Sequence, residues 1–181
     1  MEFKDVEEDS RTLSGSNDTI LLAVCGFKKT GKSTLIERLI PILAEEGIRT
    51  AVIKRDAHSF TPDTPGTDSY RYFQAGACGS AVYDSEKFSL SRRTPVTERE
   101  LIGLFPDADL IILEGFKYSS YPKIEIVRSG ISSEPVSDPK TCIALVSDLD
   151  LVTDLPVFHP EDMESIAAFV ADYVKKGIER K

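Results

Sequence analysis

The residues whose order most clearly does chemistry are Gly26-Phe27-Lys28-Lys29-Thr30-Gly31-Lys32-Ser33. Two glycines with four residues between them, followed at once by Lys and Ser, make the spacing with which a loop holds a polyphosphate. Gly26 and Gly31 let the backbone curl toward an anion without a Cβ in the way. In that arrangement Lys28, Lys29, Thr30 and their neighbours present backbone N–H groups to the phosphates. Lys32 reaches the β- and γ-phosphate oxygens, the Ser33 hydroxyl binds Mg²⁺, and Thr34 stands at the α-phosphate.

Further positions bear on the same chemistry. Glu114 ends the apolar run Leu110-Ile111-Ile112-Leu113, where phosphate-loop proteins place the acid that orients Mg²⁺. Asp63-Thr64-Pro65-Gly66 has the spacing of a γ-phosphate sensor, of an Asx-turn, or of a loop that binds a second substrate. Asp68 either caps a short helix or joins Asp63 as a candidate catalytic residue that positions an attacking water. Lys54, Arg55 and His58 flank the site, with His58 read as a ligand contact. Asp148 follows another buried run, the place from which an aspartate accepts from guanine N1 and N2, although the N-K-x-D motif is missing. His159 is read as structural. Two histidines with no cysteine cluster nearby argue against zinc.

These residues need a frame that brings them to one edge. Thr19 to Cys25 is an apolar, β-branched run that reads as a buried strand. Residues 32–46 carry a helical apolar stripe. Pro41 falls inside it, which predicts a kink or a break, and Gly47 is a suitable stop. Residues 49–54 form the second strand of a βαβ unit. After a long loop at 55–67 come a short helix at 68–75, two short strands within 79–91, and a helix opened by Thr97 with Glu100 in capping-box spacing. Strands at 109–114, 123–128 and 141–146 and a closing amphipathic helix at 161–176 complete the chain. The expectation is an α/β, three-layer P-loop NTPase fold. Its sheet is mostly parallel, with an antiparallel extension drawn from 79–91 and 122–128. Ligands of such sheets bind beyond the carboxyl ends of the strands.

Composition bounds the rest. The 181 residues suffice for one domain with a full core. Apolar content of 41% and charged content of 29% are those of a soluble globular protein. Residues 1–18 hold six acids against two bases and no apolar periodicity, which reads as an acidic flexible tail ahead of a nucleotide-binding domain at 19–181. The net charge of −8 offers no basic stripe for nucleic acid or for a membrane surface. Cys25, Cys78 and Cys142 form no C-x-x-C pair, and they read as buried free thiols in a reducing cytoplasm.

The phosphate loop, the His58…Asp63-x-Pro65-Gly66-x-Asp68-Ser69 segment, Ala75-Gly76-Ala77, Leu113-Glu114-Gly115-Phe116-Lys117, Pro122-Lys123-Ile124-Glu125 and Ala144-x-x-Ser147-Asp148 together resemble the molybdopterin-guanine dinucleotide biosynthesis protein B family (MobB). The resemblance runs over about residues 19–175. It implies a homodimeric GTP-binding adapter, using GTP and Mg²⁺, that assists the guanylyltransferase attaching GMP to molybdopterin. It also implies weak GTP hydrolysis at most. Molybdopterin itself is a possible ligand under this reading. Two rivals stand beside it. One is a small-molecule kinase whose acceptor site is 55–77 and whose lid would carry Arg92-Arg93. The other is a nucleotide-dependent switch that binds some other partner.

Overall fold

A computed structural model describes residues 19–55, 60 and 63–180. The acidic tail and His58 therefore lie outside the described residues. Eight strands and four helices follow in the order β1 (Ile20–Gly26), α1 (Lys32–Glu45), β2 (Thr50–Lys54), α2 (Asp68–Gln74), β3 (Gly79–Tyr83), β4 (Phe88–Arg92), α3 (Glu98–Ile102), β5 (Leu110–Glu114), β6 (Lys123–Val127), β7 (Cys142–Ser147), β8 (Val157–Phe158) and α4 (Met163–Glu179). Six strands form one parallel sheet in the order β2-β5-β1-β6-β7-β8.

The central strands read as apolar runs because both of their faces are covered. On one face α1 and α4 pack Leu35, Leu39, Leu43, Ile166, Val170 and Val174 against Leu22, Val24, Ile112, Ile124 and Val146. The other face is smaller: Ala23, Ile53, Ile111, Leu113 and Phe116, with Leu101 and Ile102 of α3 packed against them. α1 continues through Pro41 without a break. Leu39 and Leu43, both almost wholly buried, anchor the turn from which proline removes one N–H bond. The helix closes where Gly47 donates to Ala44 and Ile48 donates to Leu43. Thr97 and Glu100 make the expected capping box at the start of α3.

The antiparallel portion differs from expectation. β3 and β4 pair only with each other, as a separate two-stranded sheet. The 122–128 segment takes no part in it. Instead β6 is a central parallel strand beside β1, buried at all five positions. Its Lys123 and Glu125 suggest a solvated face, yet both are essentially inaccessible to water. They are buried because backbone groups of the covering loops meet them there. Lys123 Nζ donates to the carbonyls of Ser119 (2.5 Å) and Lys117 (3.4 Å). Glu125 accepts from the amides of Val136 and Ser137, each at 2.9 Å. Cys25 and Cys142 are buried as expected, while Cys78 is exposed. Desolvation is the main reason the Cys25 thiol is pushed up to about 12. Among the described residues no helix is long and apolar enough to cross a membrane.

Candidate functional site

The site begins where β1 ends. Gly26 has φ 135°, and a Cβ there would sit 2.5 Å from the Ile126 carbonyl oxygen on the neighbouring strand. Any side chain would push the loop off the sheet, so this turn requires glycine. Lys29 is left-handed at φ 70°, and the buried Thr30 hydroxyl donates to Phe27 O at 2.9 Å. Together they coil the chain into a ring. α1 then starts behind Gly31, with no side-chain cap and no acid in its first turn. Its first N–H groups and the positive end of its dipole are left for an anion.

Lys32 folds over this ring, donating to Phe27 O at 2.7 Å and Gly26 O at 3.3 Å. Partial burial pushes its ammonium below the usual lysine range, against the pull of Glu114. Next to it the Ser33 hydroxyl donates to Glu114 Oε1 at 2.9 Å. Lys54 Nζ lies 3.1 Å from the same oxygen. β5 delivers Glu114 here because it runs beside β1 with Val24 opposite Glu114. The Gly115 amide donates back to Val24 O at 3.1 Å. One hydroxyl and one carboxylate at hydrogen-bond distance are the donor set that Mg²⁺ takes from a protein when phosphate oxygens and waters supply the remainder. Ser33 and Glu114 therefore fit the ion.

The cleft above the loop encloses about 660 Å³. Gly26, Gly31 and Thr34 form part of its wall. Six cations, Lys28, Lys29, Lys32, Lys54, Arg55 and Lys117, face one carboxylate, Glu114. A second cavity of about 320 Å³ opens on the other side of the loop, between Thr30, Thr34 and Arg38 on one wall and Arg128, Ser129 and Glu161 on the other. It lies at the carboxyl ends of β1 and β6, where the strand order reverses, the usual crevice of an open parallel sheet.

The remaining sequence-derived residues fall elsewhere. Asp148 lines neither cavity; it accepts from the Ser129 amide at 2.8 Å and pairs with Arg128 Nε at 3.4 Å. The Ser129 amide is the main reason its carboxyl is held below the usual range. Its carboxylate thus sets Arg128 and Ser129 in the wall of the second cavity. In the sequence Arg128 and Ser129 carry no signal beyond being polar residues directly after a strand. Asp63 and Asp68 share a third cavity with Ser80, Val82, Ser89 and Ser91 of the hairpin. Hydrogen bonds from Ser69, the Thr64 amide and Thr67 hold the Asp63 carboxyl low, which makes it a poorer base. Asp68 pairs with Arg71. Arg93 stacks over Phe73, 4.1 Å from the ring centroid, and donates to Phe73 O, so it is engaged by α2 instead of arching over the phosphate cleft as a lid.

The chain is similar in sequence and fold to known proteins. The family model described as molybdopterin guanine dinucleotide synthesis protein B (MobB) matches residues 21–148. A molybdopterin-guanine dinucleotide biosynthesis adapter protein of Escherichia coli (strain K12) is 36% identical over 174 residues, covering 91% of this chain and 98% of its own. A probable adapter of the same description from Bacillus subtilis (strain 168) is 32% identical over 149 residues, covering 78% and 86%. Among solved structures, the crystal structure of Bacillus subtilis MobB superposes with a TM-score of 0.65 at 29% identity, covering 88% of this chain and 97% of that one. The MobB homolog from Bacillus stearothermophilus has a TM-score of 0.63 at 22% identity, covering 86% and 98%, a likeness of fold. The family model spans well over half of the chain, and the Escherichia coli relative matches nearly all of it: the chain belongs to the molybdopterin guanine dinucleotide synthesis protein B family.

Proposed function

We infer that this protein is a GTP-binding adapter in molybdenum cofactor biosynthesis. In this reading it presents Mg²⁺·GTP to the guanylyltransferase that joins GMP to molybdopterin. The observation that carries the nucleotide part is the Ser33–Glu114 contact at the foot of a phosphate loop already wound for an anion. Lys28, Lys29, Lys32 and the loop amides hold the phosphates, and Ser33 and Glu114 hold Mg²⁺. The nucleoside extends past Thr34 into the cavity walled by Arg128, Ser129 and Glu161, with Asp148 behind that wall as its support. The relatives' description as adapter proteins supports the pathway role. The three free thiols suit a reducing cytoplasm.

Slow turnover follows from the charge layout. Among the described residues Glu114 is the one carboxylate lining the cleft, and an acid engaged with Mg²⁺ is not free to take a proton from water. With Asp63 and Asp68 in another cavity, GTP is held more than it is consumed. Calorimetric titration of the full chain with GTP and ATP, with and without Mg²⁺, tests this reading. GTP is expected to bind more tightly than ATP, and Mg²⁺ to strengthen it. A clear ATP preference would remove the guanine reading. If GTP wins, failure to capture the guanylyltransferase in any nucleotide state would remove the adapter reading.

The homodimer implied by the family has a physical candidate in the β3–β4 hairpin. Tyr83 pairs with Phe88 and Ala81 with Leu90, so these four side chains share one face. Tyr83, Phe88 and Leu90 are all exposed there. The opposite face, with Val82, Ser89 and Ser91, looks into the Asp63 cavity. A two-stranded sheet with one bare apolar face is marginal alone, and a second copy of the same hairpin would cover it by two-fold symmetry. Wild-type protein is expected to run as a dimer in light scattering, and the Tyr83→Glu/Phe88→Glu variant as a monomer that still binds GTP. A variant that remains dimeric would place the interface elsewhere.

A further inference from the structure

Arg55 stands between two chambers. It follows β2 directly, and it lines both the phosphate cleft and a neighbouring cavity of about 530 Å³. Its backbone is stitched to the end of β5. The amide donates to Glu114 O at 3.1 Å, and the carbonyl oxygen lies 3.1 Å from where a Cβ on Gly115 would sit. The side chain therefore swings from a fixed root. It is turned toward Glu98, whose Oε1 lies 3.6 Å from Arg55 Nη1. The two side chains are 69% and 41% exposed, and the separation is too long for a hydrogen bond. Such a pair contributes little and is easily exchanged for a better one.

Glu98 does not depend on that pair. Its other oxygen accepts from the Tyr121 hydroxyl at 3.4 Å, and the Tyr121 ring is set by an edge contact with Phe116. The Thr97–Glu100 capping box fixes the turn of α3 that carries it. Lys32 and Lys54, in contrast, are held inside the cleft, by the loop carbonyls and by Glu114. Arg55 is held by a carboxylate outside it.

Strand order decides which part of a nucleotide meets Arg55. The sheet runs β2-β5-β1-β6, and the cavity given above to the nucleoside is walled by Arg128 and Ser129, just after β6. Ser33 follows the loop after β1, and Glu114 ends β5. A polyphosphate that starts at Thr34 thus crosses the sheet from the β6 side toward β2. Lys54 is level with Glu114 in register, so Arg55 stands one residue beyond the acid that fits Mg²⁺. It lies two strand spacings, about 10 Å, to the side of β1. A diphosphate ends over the loop and Glu114, and a third phosphate extends toward Arg55.

We propose that Arg55 is the residue by which this protein tells a nucleoside triphosphate from a diphosphate. It leaves Glu98 for the terminal phosphate, which takes the planar guanidinium through two parallel N–H···O bonds. Glu98 stays on Tyr121 and is the rest position that keeps Arg55 out of the cleft while no terminal phosphate is present. The inference deepens the GTP reading and rests on it for the place of the phosphates, though not for the base.

Calorimetric titration of the full chain with a non-hydrolysable GTP analogue and with GDP, each with Mg²⁺, tests this. Wild-type protein is expected to bind the analogue about tenfold or more tightly than GDP. Arg55→Ala is expected to weaken the analogue about tenfold or more, the scale of one charge-assisted contact, and GDP less than about twofold. Arg55→Lys keeps the charge without the fork and is expected to recover only part of that loss. Glu98→Gln removes the competing carboxylate and is expected to tighten the analogue about twofold to fivefold, with GDP unchanged. Thermal unfolding is the control for folding in each variant. Equal losses for the two nucleotides in Arg55→Ala, or full recovery by lysine, would reduce Arg55 to one more surface charge and overturn the proposal. Weaker analogue binding by Glu98→Gln would overturn it too, since Glu98 would then brace Arg55 instead of competing for it. Each of those results leaves the GTP reading standing. A wild-type chain that binds neither nucleotide would remove both.

Discussion

Lys32→Ala is expected to cost at least about a hundredfold in GTP affinity while leaving the fold intact. Two facts set the size of the effect. The ammonium is positioned before ligand arrives, resting on the carbonyls of Phe27 and Gly26, so little ordering remains to be done when it turns to the phosphates. It is also partly desolvated, which pushes its pKa down and strengthens whatever charge pair replaces the lost water. Each charge-assisted hydrogen bond contributes about 1.5–3 kcal/mol, and two of them to phosphate oxygens make about 3–6 kcal/mol, between about a hundredfold and about twenty-thousandfold. The fold survives because Lys32 opens α1 at a solvent-facing edge while the core positions Leu35, Leu39 and Leu43 are untouched. Lys28→Ala, which removes a cation with no such seat, is expected to cost ten times less. Calorimetry with GTP and Mg²⁺ reads both, with thermal unfolding as the control. Equal losses in the two variants would mean that the loop binds by bulk positive charge alone.

The parts of this site that were legible before the structure are those in which local chemistry decides the outcome. Glycine at 26 and 31, Lys-Ser after them, and an acid closing an apolar strand are set by the local backbone, and the structure has them at the strand end, the loop and the helix start that their spacing predicts. Long-range pairing was harder. Lys123 and Glu125 alternate with Ile124 and Ile126, a pattern that looks like a strand with one wet face. No local rule reveals that backbone groups of the loops on either side, 4 to 12 residues away, supply the donors and acceptors that bury it. The strand's direction and neighbours were misread for the same reason. Asp63 and Asp68 illustrate a related difficulty. Their spacing suits a phosphate sensor and an Asx-turn equally, and the described structure ties them into hydrogen bonds and an ion pair near the hairpin. Arg128 and Ser129 carried almost no signal, because their position is set by Asp148, nineteen residues from Ser129.

Glu125→Ala is expected to be the most destabilising single substitution in the sheet. The α1–α4 face of the sheet is sealed by helices, but the other face is covered largely by loops, and loops have backbone groups that must be satisfied once buried. Glu125 does this for two of them: its carboxylate oxygens each take an amide, from Val136 and Ser137, at 2.9 Å. The side chain is 1% exposed, so no water stands ready to replace it. Truncation to Ala strands two buried donors at about 1–3 kcal/mol each and leaves a void where the carboxylate was, for a total of about 3–5 kcal/mol. That is a shift of about 6–20 °C in Tm for a domain of this size. Lys123→Met shows the other half of the device. The methionine keeps the apolar stem, so its cost is limited to the two carbonyls of Ser119 and Lys117 left without a donor, about 1–3 kcal/mol each. Urea unfolding of each variant reads both losses. A loss below about 1 kcal/mol for Glu125→Ala would show that the 128–141 loop reaches solvent readily, and that its cover over the sheet is not held by this carboxylate.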